Sequence, residues 1–256
     1  MSAPRSSRVV VIGAAGALGA AACAALAARG HAVWAADAAD AAPALADLPG
    51  DGHRAVHVDV TDQQSVDDLL RTAWDAPGAL LDGLVYSPGV NLTGPVAGLD
   101  WPGYERLMDV NLAGAFRTGQ ALARLLEKGP RPFGAVFLSS TAGLRGEAGG
   151  AAYSASKFAL IGFVQSFAAE IAEHGGRANA VCPGNVDSPM LRRLAAQVAD
   201  RENTTTEEIL ARFADASAFR RLIDPAEVGR VCAWLASAES SGLSGQNLVV
   251  DGPPAG

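Results

Sequence analysis

The sequence predicts a single doubly wound α/β domain: a seven-stranded, mostly parallel sheet with helices on both faces and a helical lid. Short β-branched runs alternate with longer helical patterns along all 256 residues, and parallel neighbours need crossovers long enough to hold a helix. The first apolar run closes on glycine and leads directly into an alanine-rich helix. No Pro/Gly/Ser-rich linker and no repeat of fixed period divides the chain, so residues 1–256 read as one domain.

The elements follow in order. "RVVVIG" (8–13) is the first strand, and 17–30 is a helix stopped by Gly30. Strands are expected at 31–37, 53–60 and 81–87, with a helix over 63–74 before the last of these. The second half adds a long helix near 100–127, a strand at 134–140, a helix over 151–174 and a strand at 177–184. A charged insertion at 187–222 precedes a helix at 225–238 and a closing strand at 246–252.

Composition narrows the function. With 49% hydrophobic and 18% charged residues, the chain reads as globular. A formal charge of −7 without a basic stripe argues against nucleic acid as a partner. No run of about 18 apolar residues suggests a membrane span, and the N-terminal apolar run is too brief for a signal segment. Cys23, Cys182 and Cys232 are odd in number and far apart, which suggests small buried hydrophobes rather than disulfides. A reduced cytoplasm is the expected location. His53 and His57 are the only histidines at ligand-like spacing, but they fall on an expected strand, so no metal site is expected.

"GAAGALG" sets Gly13, Gly16 and Gly19 between the first strand and the first helix. Glycines there permit a tight turn and let backbone N–H groups, with those of Ala17 and Leu18, approach a pyrophosphate at the positive helix end. A simple helix-packing turn is the competing reading. Asp37 ends the second strand 18 residues after Gly19, where a carboxylate can accept both ribose hydroxyls of NAD. It would repel the 2′-phosphate of NADP by about 3 kcal/mol per unit charge at ~5 Å and an effective dielectric of ~20. A solvated turn aspartate, or Asp40 in its place, is the alternative. Asp59 and Val60 lie at the edge where open sheets bind nucleotides, although Asp59 could equally cap the helix that follows.

Tyr153 and Lys157, in "YSASK", stand four positions apart and share a helix face. An ammonium ~4 Å from the phenol would favour phenolate by about 4 kcal/mol, bringing a pKa of ~10 toward neutrality, where proton exchange with an alcohol is effective. A snorkelling lysine on an ordinary helix face is the bland alternative. Ser140 ends the preceding strand and could hydrogen-bond the reacting oxygen. Asn111, mid-helix without a propensity reason, could hold a water beside Lys157.

Taken together, the glycine turn 13–19, Asp37, "DVT" 59–61, Asn111, Ser140, "YSASK" 153–157, "NAVCPGNV" 179–186 and "SGQNLVVDG" resemble the short-chain dehydrogenase/reductase family over essentially the whole chain. The resemblance implies a Rossmann-type domain that interconverts a secondary alcohol and a ketone with NAD. It implies Tyr153 as general acid/base, Lys157 as its tuner and ribose ligand, Ser140 as substrate orienter and Asn111 as water anchor. Gly89, Pro183, Gly184, Val186 and Ser188 would complete the cofactor set. Arg145, Asn185, Met190 and Leu191 would join Ser140 and Tyr153 at the substrate, under a lid formed by 187–222 that reads alternatively as an oligomer contact. A homotetramer is implied as well. The chain departs from the family pattern at Ile12, at the glycine spacing and at "YSPG" (86–89), where Asn-Asn-Ala-Gly is usual. Small residues at 147–152 suggest a medium-sized or cyclic hydroxy compound. An epimerase or dehydratase that retains NAD, and a non-catalytic NAD-binding module, are the alternative functions.

Overall fold

A computed structural model describes residues 7–251. Seven strands form one sheet in the order β3-β2-β1-β4-β5-β6-β7: β1 (Ser7–Ile12), β2 (Ala32–Asp37), β3 (Arg54–His57), β4 (Leu80–Tyr86), β5 (Phe133–Leu138), β6 (Gly176–Pro183) and β7 (Asn247–Val250). Every pairing between them is parallel, where a mostly parallel sheet was expected. Two predicted ends, 1–6 and Gly252, lie outside the described residues.

Alternation along the strands divides the interior into two cores. Val10 and Ile12 of β1 face one side, where α2 (Gln63–Asp75), α4 (Gly114–Lys128) and α5 (Ala151–Ile171) contribute Leu70, Leu122 and Leu160. Val9 and Val11 face the other, against Cys23 and Leu26 of α1 (Ala17–Ala27) and Val228 and Cys232 of α8 (Pro225–Ala236). Both layers are dry: these core side chains are at most 1% exposed. That burial, at about 25 cal/mol per Å² of apolar surface, is the main force holding helices to sheet.

The helix expected over 100–127 is interrupted. It runs as α3 (Trp101–Met108), one π-helical turn at Asp109–Ala113, and then α4. A π turn carries an extra residue and shifts the register of the faces on either side. The helix expected to reach 174 ends at Ile171 and tightens into a 3₁₀ turn, Ala172–His174. The charged insertion folds as two helices, α6 (Pro189–Glu202) and α7 (Thr206–Asp215). Ser188 caps α6 by accepting from the Leu191 N–H, and Thr205 caps α7 by accepting from the Glu208 N–H.

Because strand order reverses between β1 and β4, a crevice opens at the carboxyl ends of these strands.

Candidate active site

Two clefts occupy that edge. The first, about 860 Å³, is lined by Gly13, Gly16, Asp37, Asp59, Val60 and Gly89 among others, and Ala17 and Leu18 also face it. The glycine turn is built for it. Gly13 has φ of +81°, and a Cβ there would stand 2.6 Å from the Pro88 nitrogen. At Gly19 a Cβ would meet the Gly13 oxygen at 2.1 Å, so α1 can approach the turn only without a side chain. Gly16 is different: its nearest heavy atom is 3.4 Å away, and its openness is toward the cleft. Gly16 starts α1 with no side-chain cap and no acidic residue in the first turn, so the helix's first N–H groups face the cleft. A dinucleotide fits this cradle.

Asp37 reaches across the turn. Its carboxylate accepts from the backbone N–H groups of Ala15 and Ala39, both at 3.0 Å. Asp40 instead accepts from Ala42 N–H and does not line the cleft. Asp59 accepts from the Thr61 hydroxyl and N–H, and these two bonds hold its carboxyl below the usual range. It is not the cap of α2; Asp62 is, accepting from Gln64 N–H.

The second cleft, about 700 Å³, meets the first at Leu18, Ser188 and Met190. Ser140 and Tyr153 line it, together with Pro183, Gly184, Val186 and, from α6, Leu191. Ser140 lies just past β5, and its hydroxyl accepts from Ala142 N–H at 3.1 Å. Lys157 is one turn along α5 from Tyr153 and is 3% exposed. Its Nζ donates to the Leu138 carbonyl at 2.8 Å and lies 5.7 Å from the centroid of the Tyr153 ring. Behind it, the Ser139 hydroxyl donates to the Lys157 carbonyl at 3.1 Å and ties α5 to the end of β5. Gly89 brings the first cleft close to this cation: a Cβ on it would be 3.7 Å from Nζ.

Burial governs the titration of both groups. It draws the Lys157 ammonium down from 10.5 to about 8. It pushes the Tyr153 phenol up, opposed by the hydrogen bond with Ser140. The expected lowering by the ammonium is not what the fold gives: burial raises the phenol, and the opposing cause is the Ser140 hydrogen bond rather than Lys157.

Asn111 also differs from expectation. It sits in the π turn, fully buried, and its Oδ1 accepts from Val90 N–H at 2.8 Å. Its Nδ2 donates to the Val90 carbonyl and to the Ser156 hydroxyl. Both amide hydrogens are thus committed, and the side chain clamps the loop after β4 to α5. Asn185, expected at the substrate, lines the second cleft but spends its amide on the Phe213 carbonyl, 3.0 Å away. Arg145 stands exposed at the rim. Sequence reasoning missed Arg106 and Arg193 in the first cleft and Asn91, Thr93, Ser154 and Phe213 in the second. Apart from Ser154, which lies inside "YSASK", none belongs to a motif, and only the folded chain gathers them. Among the described residues, no three His, Cys, Asp or Glu side chains are placed to hold a metal, and no helix is long and apolar enough to cross a membrane.

The short-chain alcohol dehydrogenase-type model described as Enoyl-(Acyl carrier protein) reductase matches residues 13–252. The chain belongs to the short-chain dehydrogenase/reductase family. It is 38% identical over 213 residues to Oxidoreductase UcpA of Salmonella typhimurium (strain LT2), covering 81% of this chain and 79% of that one. It is 32% identical over 203 residues to Galactitol 2-dehydrogenase of Agrobacterium fabrum, covering 79% of each. The fold superposes on the crystal structure of actinorhodin polyketide ketoreductase with NADPH at a TM-score of 0.88, with 27% identity over 96% of both chains. These relatives support alcohol–ketone oxidoreduction with a nicotinamide cofactor as the general chemistry of this short-chain dehydrogenase/reductase.

Proposed function

We propose that the protein is an NAD-dependent dehydrogenase that interconverts a secondary alcohol and a ketone. One observation carries the reading: Ser140 and Tyr153 open onto the second cleft, while Lys157 lies behind them against Gly89 of the first, so a carbon at the junction is within reach of both. The nicotinamide ring, when bound, supplies the two-electron acceptor or donor. In the oxidation direction Tyr153 gives up its own proton first and then, as phenolate, takes the alcohol proton at Oη; the Ser140 hydroxyl orients the reacting oxygen, and the Lys157 ammonium favours the phenolate. Asn111 fixes the loop that carries Gly89 and Val90.

Asp37 supports NAD over NADP, because it faces the first cleft and no Arg or Lys lies at 38–50 to offset its charge. α6 and α7 support a lid that excludes water from the junction. A homotetramer in a reducing compartment belongs to the same reading, supported by the exposed Phe116 and Phe158 on α4 and α5 and by three free, buried cysteines. The test is a spectrophotometric assay at 340 nm with a panel of secondary alcohols and each dinucleotide. NAD-dependent turnover that Tyr153→Phe abolishes supports the reading, and a panel inert with both dinucleotides sinks it.

A further inference from the structure

Buried polar atoms without partners are uncommon, since each costs free energy that folding must offset. Among the described residues six such side-chain atoms occur, and three of them line the second cleft: Asn91 Oδ1, Thr93 Oγ1 and Ser154 Oγ. They come from two segments, the loop after β4 and the first turn of α5. Those segments are joined by a hydrogen bond from Gly94 N–H to the Gly149 carbonyl at 2.8 Å. Behind one wall of the cleft there are therefore an acceptor and two hydroxyls, the hydroxyls able to donate and accept, all three buried and unpartnered. The lid side is apolar, with Met190, Leu191, Leu194 and Phe213.

The charged residues on the lining are Arg145, Glu147 and Asp251, a balance that holds a single cation. That balance does not suit a carboxylate or a phosphate ester. A ligand that matches the cleft is neutral, carries hydroxyls on one side and turns C–H groups to the lid.

We infer that the cleft takes a neutral vicinal polyol, with one hydroxyl at Ser140 and Tyr153 and its neighbour held by Asn91, Thr93 and Ser154. The inference rests on the dehydrogenase reading for the first hydroxyl and adds the second. A site built to hydrogen-bond a hydroxyl discriminates strongly against the analogue that lacks it, because its own buried groups are then left unpaired.

The test compares kcat/KM for matched pairs, cyclohexanol with trans-1,2-cyclohexanediol and 2-butanol with 2,3-butanediol, in the wild type, Thr93→Val and Ser154→Ala. The expected result is a diol preference of roughly 100-fold or more, reduced at least about tenfold in each variant. Similar kcat/KM within each pair overturns the inference while leaving the dehydrogenase reading intact. So does a diol preference that neither variant changes. Should no alcohol be turned over, the dehydrogenase reading fails, and melting temperature with NAD and each alcohol then decides the polyol site alone. Stabilisation by the diol, absent with the monoalcohol and lost in Thr93→Val, supports it; equal effects of both overturn it.

Discussion

The Lys157 ammonium lies 5.7 Å from the centroid of the Tyr153 ring and is held there by the Leu138 carbonyl, 2.8 Å from Nζ. Helical spacing sets the pair, since residues four apart share a face. The strand end sets the orientation, because Leu138 closes β5 and offers its carbonyl to the only cation on that stretch of α5. Tyr153→Phe removes one hydroxyl without changing the packing of the ring. The expected loss in kcat is about 10²–10⁴-fold, the usual worth of a positioned acid/base. Quenching of protein fluorescence by NADH should give a Kd close to that of the wild type.

Lys157 also makes a prediction about stability. Its pKa falls from 10.5 in the unfolded chain to about 8 in the fold, because burial penalises the charge. The unfolded state binds the proton more tightly, so stability rises with pH between about 8 and 10.5, and the penalty is complete below 8. The drop corresponds to roughly 3 kcal/mol, against about 1.5–3 kcal/mol for a hydrogen bond from a charged donor to the Leu138 carbonyl. Lys157→Met should therefore be inactive yet at least as stable as the wild type at pH 7, in urea melts. The stability difference between the two proteins should shrink as pH is raised from 8 to 10. A variant that melts well below the wild type at pH 7 would contradict the penalty.

Much of this frame was legible in the sequence, and the reasons are physical. β1 reads plainly because five of its six residues are buried and β-branched runs have few other uses. The glycine turn, Asp37, Ser140 and the Tyr153–Lys157 pair are also legible, since each depends on local spacing. What escaped depends on contacts between distant segments. The π turn at Asp109–Ala113 has no propensity signature of its own, and Asn111 makes sense only beside Val90 and Ser156. Thr93 and Ser154 look like ordinary polar residues until the Gly94–Gly149 hydrogen bond joins their segments. The direction of the Tyr153 shift is not legible in the sequence, because burial is a tertiary quantity.

Asp37 should set the choice of dinucleotide. About 3 kcal/mol of repulsion toward a 2′-phosphate corresponds to roughly two orders of magnitude in kcat/KM. Asp37→Asn keeps the shape and could still accept from one of the two N–H groups of Ala15 and Ala39. It should narrow the NAD/NADP ratio at least tenfold, mainly by raising efficiency with NADP. A wild type that uses both dinucleotides equally would show that Asp37 serves only to hold the turn.

The three turn glycines should separate by what surrounds them. A methyl at Gly19 collides with the Gly13 backbone at 2.1 Å, which no rotamer change relieves. Gly19→Ala should lower the melting temperature and abolish NADH binding together. Gly16→Ala, with 3.4 Å of clearance, should fold normally and weaken NADH binding alone, because its methyl projects where the backbone would meet a ligand. Calorimetry with and without NADH distinguishes the two. Equal loss of stability in both variants would remove the argument that Gly16 is kept open for a ligand.

Tyr86, which stands where the family usually has asparagine, tests how the π turn is held. Its hydroxyl donates to the Val110 carbonyl at 2.7 Å, inside the turn that carries Asn111. Gly114 opens α4 against it: a Cβ there would come 2.4 Å from Tyr86 Oη and 3.0 Å from Val60 Cβ. Gly114→Ala alone should cost about 1–3 kcal/mol by overpacking, and Tyr86→Phe alone about 1 kcal/mol for the lost hydrogen bond. Removing the hydroxyl relieves the closest contact, so the double variant should be more stable than the two losses combined, by about 1 kcal/mol. Displacing this turn also moves the Asn111 clamp on Val90, so kcat should fall in Gly114→Ala and recover in part when Tyr86→Phe is added. Additive losses in stability with no recovery of kcat would mean that Gly114 answers to Val60, and that the tyrosine hydroxyl does not set the register of the turn.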